Sequence, residues 1–92
     1  MPSTLRNNKS KSRFELDIDD HIAFVDYEAT PTALTLTHAE VPKELGGRGV
    51  GSILAKAVLE NIRDHGLKVN PQCEFMAGYI KKHPEFSSLV SN

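Results

Sequence analysis

The chain has 92 residues, 39% of them hydrophobic and 25% charged, with a net charge of −1, which describes one ordinary globular domain. That balance lacks the basic surplus of a nucleic-acid-binding domain, and no apolar run approaches the ~18 residues needed to cross a bilayer. The single cysteine, Cys73, excludes a disulfide within the chain and points to a reducing, cytoplasmic setting.

Residues 1–12 are polar throughout, have no signal-peptide core and are expected to be frayed, leaving 13–92 as one domain. From Arg13 to Ile18, Phe14, Leu16 and Ile18 alternate with Arg13, Glu15 and Asp17, the pattern of a half-buried strand. Asp19-Asp20 reads as a tight turn into a second strand over 21–29, carrying Ile22, Phe24, Val25 and Tyr27. Thr30-Pro31-Thr32 breaks it. A third strand over 33–39 follows, with Leu34, Leu36 and His38 expected on one face and Thr35 and Thr37 on the other. Pro42 ends strand pairing, because it has no N–H to donate.

The segment Gly46-Gly47-Arg48-Gly49-Val50-Gly51-Ser52 comes next and opens a helix. Its glycines let the backbone pass close to another molecule, and a helix start aims unpaired N–H groups at whatever sits there. That is the arrangement of a phosphate cradle, although a plain glycine-rich turn has the same letters. It is neither a Walker loop, since no lysine precedes Ser52, nor the dinucleotide fingerprint, whose third glycine would fall on Ser52. Arg48 is either a further phosphate contact or a solvated charge. Val50, Ile53, Leu54, Ala57, Val58 and Ile62 then recur at helical spacing, and Gly66 suits a left-handed stop. Residues 67–70 form a short fourth strand that a right-handed crossover makes parallel to the third. A second helix spans 73–82, Pro84 stops it, and 86–90 pack as a turn. The order is βββαβα, an α+β (α/β-like) fold with a mixed sheet.

The run from His38 through Glu40, Val41 and Pro42 to Gly46, Gly47, Arg48, Gly49, Val50 and Gly51 resembles the acetyl-CoA loop of Gcn5-related N-acetyltransferases. It resembles most their minimal, single-domain YjdJ-type branch. The resemblance continues through Leu67-Lys68-Val69-Asn70-Pro71-Gln72-Cys73-Glu74-Phe75 and Tyr79-Ile80-Lys81-Lys82-His83-Pro84-Glu85-Phe86, covering roughly 14–86. It implies a minimal acyl-CoA N-acyltransferase fold. In that fold, backbone around 37–41, including Glu40 and Val41, meets the pantetheine arm. Gly46 to Ser52 hold the diphosphate, and the fourth strand splays away near Asn70 to admit the thioester. The chain departs from the family's Q/R-x-x-G-x-G/A pattern by placing Gly46 at the Gln/Arg position, which leaves phosphate binding to backbone amides and Arg48.

Larger relatives often carry a glutamate base on the strand before the loop. Leu34-Thr35-Leu36-Thr37 offers none, and Glu40 lies only at the strand's end. Cys73 follows Pro71 at a helix start, where thiolate is favoured. The resemblance puts it beside the acetyl group, so an acyl-cysteine route is open, against the plain alternative of an inert buried thiol. His38 is either a base or a packed histidine at the core edge. Tyr79 stands where larger relatives protonate the departing thiolate, and equally suits a core aromatic. His21, His65 and His83 have no metal-ligand spacing.

The expectation is therefore an acetyl-CoA-dependent transferase that acetylates an amine of a protein or small molecule, with CoA as product. It would act as a monomer or weak dimer without nucleic acid or membrane. The alternatives are a CoA- or acyl-CoA-binding module that does no chemistry, and a protein–protein adaptor.

Overall fold

The computed structural model describes residues 4–45 and 49–91. Five strands form one sheet in the order β1-β2-β3-β4-β5: β1 Thr4–Asn8, β2 Arg13–Ile18, β3 His21–Ala29, β4 Ala33–Glu40 and β5 Lys68–Pro71. The first four are antiparallel neighbours, and β5 joins β4 in parallel. Helix α1 (Val50–Asp64) makes that crossover, and α2 (Glu74–Lys82) follows β5. A short 3-10 turn, Lys43–Leu45, precedes α1, and another, Pro84–Leu89, follows α2. The expected order is extended at its front by one strand, giving ββββαβα.

That extra strand corrects the expectation of a frayed segment over 1–12. Thr4–Asn8 pair with Asp17 back to Arg13. Leu5 packs against the core, the Tyr27 hydroxyl donates to Asn7 Oδ1 at 2.6 Å, and Arg6 bridges Glu15 and Asp17. Polar side chains form a strand here because partners across the sheet satisfy them.

Asp19 and Asp20 both take positive φ, 49° and 62°. Two such residues between antiparallel strands match the twist of a tight hairpin, and short polar side chains tolerate them. Along β2 and β3, Phe14, Leu16, Ile18, Ala23, Val25 and Tyr27 face one side, where they meet Leu54, Ala55, Val58, Leu59 and Ile62 of α1 and Met76 and Ile80 of α2. Both helices cover this one face. Ile62 is fully enclosed. Ile62→Val is expected to cost about 0.5–1.5 kcal/mol, read by urea unfolding.

The other face carries a ladder of charges. Arg13 Nε donates to Asp26 at 2.8 Å, and its guanidinium lies 3.8 Å over the Phe24 ring. Glu15, only 7% exposed, accepts from Arg6 at 2.9 Å. That hydrogen bond holds the Glu15 carboxyl below its ordinary value, against the opposing effect of desolvation. A carboxyl depressed in the folded state stabilises the fold above its ordinary value of 4.5 and loses that contribution as pH falls through the folded value. Arg6→Gln is therefore expected to destabilise the protein at neutral pH. The gap between variant and parent in urea melts should close on acidification below that value.

Alternation breaks in β4. Tyr27 pairs with Leu36 but Asp26 pairs with His38, so Thr37 is an extra residue, a β-bulge. Its hydroxyl donates to the Asp26 carbonyl at 3.3 Å, satisfying an oxygen that the bulge takes out of the ladder. The bulge exchanges faces beyond it. Ala39 and Val41 turn to the core, and His38 and Glu40 turn to the open face. The expectation that His38 shares a face with Leu34 and Leu36 is corrected accordingly.

Candidate functional site

Strand β4 is longer than its parallel partner. The β4–β5 ladder runs from Ala33↔Lys68 to Leu36↔Pro71 and ends there. Pro71 has no N–H to extend it, and the next two amides, of Gln72 and Cys73, both donate to the Leu36 carbonyl, at 3.1 and 3.0 Å. The chain then turns into α2. Residues 37–40 of β4 keep their pairing to β3 and have no β5 partner, so one edge of that stretch presents unpaired backbone groups. Asn70 remains inside the ladder, opposite Thr35, so the strands part after Pro71 rather than at Asn70.

Because β4 and β5 are parallel, the helices that follow them begin at the same end of the sheet. Carboxyl ends of parallel strands are where open α/β sheets take ligands. Gly49 precedes α1 with φ 72°, a conformation that glycine adopts without a Cβ clash. Ile53 N–H bonds the Gly49 carbonyl at 3.2 Å, so the amides of Val50, Gly51 and Ser52 ahead of it have no helical acceptor. The first turn of α1 contains no acidic residue, and no side chain caps it. Its amides and the positive end of its dipole are left for an anion. Gly46, Gly47 and Arg48 lie outside the described residues.

The starts of α1 and α2 touch. A Cβ added to Gly51 would sit 3.1 Å from the Phe75 ring, which is itself 40% exposed. Beside this contact a groove of about 320 Å³ is lined by Ser52, Glu74, Phe75, Gly78, Tyr79, Lys82 and His83. A larger hollow of about 360 Å³ opens at the far end of α1, against Asn61 and His65, away from both helix starts.

Cys73 is the residue ahead of α2, half-buried, with its side chain against the core and no capping hydrogen bond from the thiol. Its backbone amide fixes it at the point where β4 and β5 part. Tyr79 is six residues on, about 240° around an ideal helix and about 9 Å along it. The helix therefore does not bring the two together. The Tyr79 ring stacks on His83 at 3.9 Å and 16°, and is tilted against Phe86. Burial pushes the Tyr79 phenol up, helped by Glu85 and Glu60. His38 stands on the open face, 58% exposed by side chain, with Nε2 3.2 Å from Glu40 Oε2. Glu40 so divides its parts, with its backbone on the unpaired β4 edge and its carboxylate on His38. Val41 packs against the core. Phe75 and Lys82 are site-lining residues that the sequence reading did not single out, although helical spacing from Tyr79 and Gly78 would have found them. Among the described residues, no cluster of His, Cys, Asp or Glu could hold a metal, and no helix is long and apolar enough to cross a membrane.

The profile of the GCN5-related N-acetyl-transferase family matches residues 13–89. The chain belongs to the GCN5-related N-acetyltransferase family. The NMR solution structure of a GCN5-like protein from Staphylococcus aureus superposes with a TM-score of 0.71 at 26% identity, covering 97% of this chain and 88% of that one. Protein NATD1 of Xenopus tropicalis is 32% identical over 66 residues, 72% of this chain and 60% of its own length. Human protein NATD1 is 39% identical over 49 residues, 53% of this chain and 43% of its own length. The chain thus spans about half the length of these curated relatives. Family membership accounts for the mixed α+β sheet, the parted parallel strands and the glycine-led helix start as parts of one acyltransferase scaffold.

Proposed function

We infer that the protein transfers an acetyl group from acetyl-CoA to an amine of a protein or small molecule, releasing CoA. The observation that carries this is the parting of β4 and β5 after Leu36, with an acid-free, uncapped helix start at the same end of the sheet. The residues present suit the coenzyme. The amides of Gly49, Val50, Gly51 and Ser52, with Gly46, Gly47 and Arg48, would hold the diphosphate. The backbone at Glu40 and Val41 and the neighbourhood of Asn70 would flank the pantetheine arm. The adjoining groove, with the Phe75 ring and Lys82, has room for the nucleotide end.

Cys73 is the proposed nucleophile. Its thiolate would take the acetyl group and pass it to the amine, and a cytoplasmic, reducing setting keeps it a thiol. His38 is the proposed base. Tyr79, whose raised phenol keeps its proton at neutral pH, is the proposed donor to the departing thiolate. The competing reading is a CoA-binding module without chemistry, favoured by the lack of any carboxylate between Leu34 and Thr37 on β4.

Two measurements on the parent protein test the proposal. Calorimetric titration should show binding of CoA and acetyl-CoA, and intact mass after acetyl-CoA treatment should show one added acetyl group mapping to Cys73. Absence of binding at millimolar coenzyme would overturn the reading. Binding with no transfer to any of a broad panel of amines would leave the binding module instead.

A further inference from the structure

The open face of the sheet offers an arrangement that the coenzyme site does not use. Beyond the Thr37 bulge, His38 and Glu40 project away from both helices. His38 Nε2 lies 3.2 Å from Glu40 Oε2, the only hydrogen bond of this imidazole among the described residues. The ring also rests against Phe24, with centroids 6.1 Å apart. Asp26 is directly opposite His38 on β3, but its carboxylate is taken by Arg13 at 2.8 Å. The charged groups around the imidazole are therefore Glu40 on its own strand and the neutralised Asp26–Arg13 pair on the next.

A carboxylate only accepts, so the contact requires Nε2 to carry the hydrogen and leaves the Nδ1 lone pair directed elsewhere. This is the pattern of a base whose tautomer is set by a carboxylate. The bulge sets it one residue beyond Leu36, whose carbonyl anchors Cys73.

We propose that Glu40 is a positioning residue that holds His38 with Nδ1 free to take the proton of the acceptor amine, which approaches over the open face of the sheet. The inference rests on the transferase reading above and adds to it the residue that orients the base and the face from which the acceptor arrives. In the step, one N–H bond of the acceptor ammonium breaks and an Nδ1–H bond forms. The freed nitrogen lone pair attacks the thioester carbonyl, the carbon–sulfur bond breaks, and its electron pair leaves on sulfur as thiolate. The imidazolium returns its proton to that thiolate or to water. No oxidant or further reactant is needed.

The test compares the parent with His38→Gln, Glu40→Gln and the double variant, all at exposed positions, with coenzyme titration confirming that each folds and binds. Acetyl transfer is followed at neutral pH to two acceptors: a primary alkylamine, which is protonated, and hydroxylamine, which is already largely uncharged. With the alkylamine, His38→Gln should lose about 100-fold and Glu40→Gln about tenfold. Glu40→Gln should add no further loss in the His38→Gln background. With hydroxylamine, which needs no base to remove its proton first, all variants should stay close to the parent.

A structural role would depress both acceptors equally, and that outcome overturns the inference. Variants matching the parent with the alkylamine overturn it too, while leaving the transferase reading standing. A parent inactive toward both acceptors and the wider amine panel removes that reading and this inference together.

Discussion

Cys73→Ala should retain coenzyme binding and reduce acetyl transfer to the background reaction of the free thioester. The two effects separate because of how Cys73 is held. Its position comes from the backbone, through the amide bond to the Leu36 carbonyl at 3.0 Å and the Ala77 amide that bonds its own carbonyl at 3.0 Å. Its thiol caps nothing. Alanine therefore keeps the turn into α2 and removes one sulfur atom from a half-buried site. The diphosphate-facing amides lie on α1 and are untouched. If transfer ran directly from thioester to amine, the variant would retain its rate, and Cys73 would leave the mechanism. If the covalent route holds, the acetyl mass adduct disappears together with turnover. Coenzyme affinity measured by calorimetry on the same preparation shows that the loss is chemical.

Ser52→Glu is expected to move stability and coenzyme binding in opposite directions. Ser52 is the third residue of α1 and is exposed. The first turn has no acidic residue, so a carboxylate there interacts favourably with the helix dipole, by about 0.3–1 kcal/mol. For a domain of this size each kcal/mol is about 4–8 °C in Tm, so a rise of a few degrees is anticipated. The same carboxylate lies where a diphosphate would sit, and like charges a few ångströms apart cost about 1 kcal/mol or more even in water. Coenzyme affinity should fall at least about tenfold. A variant that is both more stable and still binds with parental affinity would place the diphosphate elsewhere and remove the α1 start from the site.

The strands were legible where one face is buried and alternation is clean. β2 and β3 have the bounds that Phe14, Leu16 and Ile18, then Val25 and Tyr27, require. The helix start after Gly49 and the stop at Gly66, with φ 69°, follow from glycine's freedom at positive φ. Two features were not legible, for distinct physical reasons. β1 has a single apolar side chain, Leu5, and its other residues are held by cross-strand pairs whose partners lie nine to twenty positions away. No local pattern records such pairing. The Thr37 bulge is invisible because Leu34, Leu36 and His38 continue an unbroken alternation in the letters. The extra residue appears only when β4 is laid against β3.

Within the candidate site, the glycine run pointed to the helix start without help from the fold. The join at Leu36, which receives two amides at once, could not be read from residue types, because every participant is backbone. Tyr79 illustrates the opposite case. Its letter and spacing invited a role next to Cys73, whereas the helix turns it onto another face, against His83.

The one-residue surplus in β4 also bears on how kindred chains should be compared. Matching them by oily and watery positions alone would slide the segment past Leu36 out of phase by one place. Imidazole and carboxylate would then be assigned to the interior and Ala39 to solvent. Only a superposition that honours the hydrogen-bond ladder keeps the frame, so substitutions around 37–41 in any cousin should be interpreted by ladder partner and not by hydropathy rhythm.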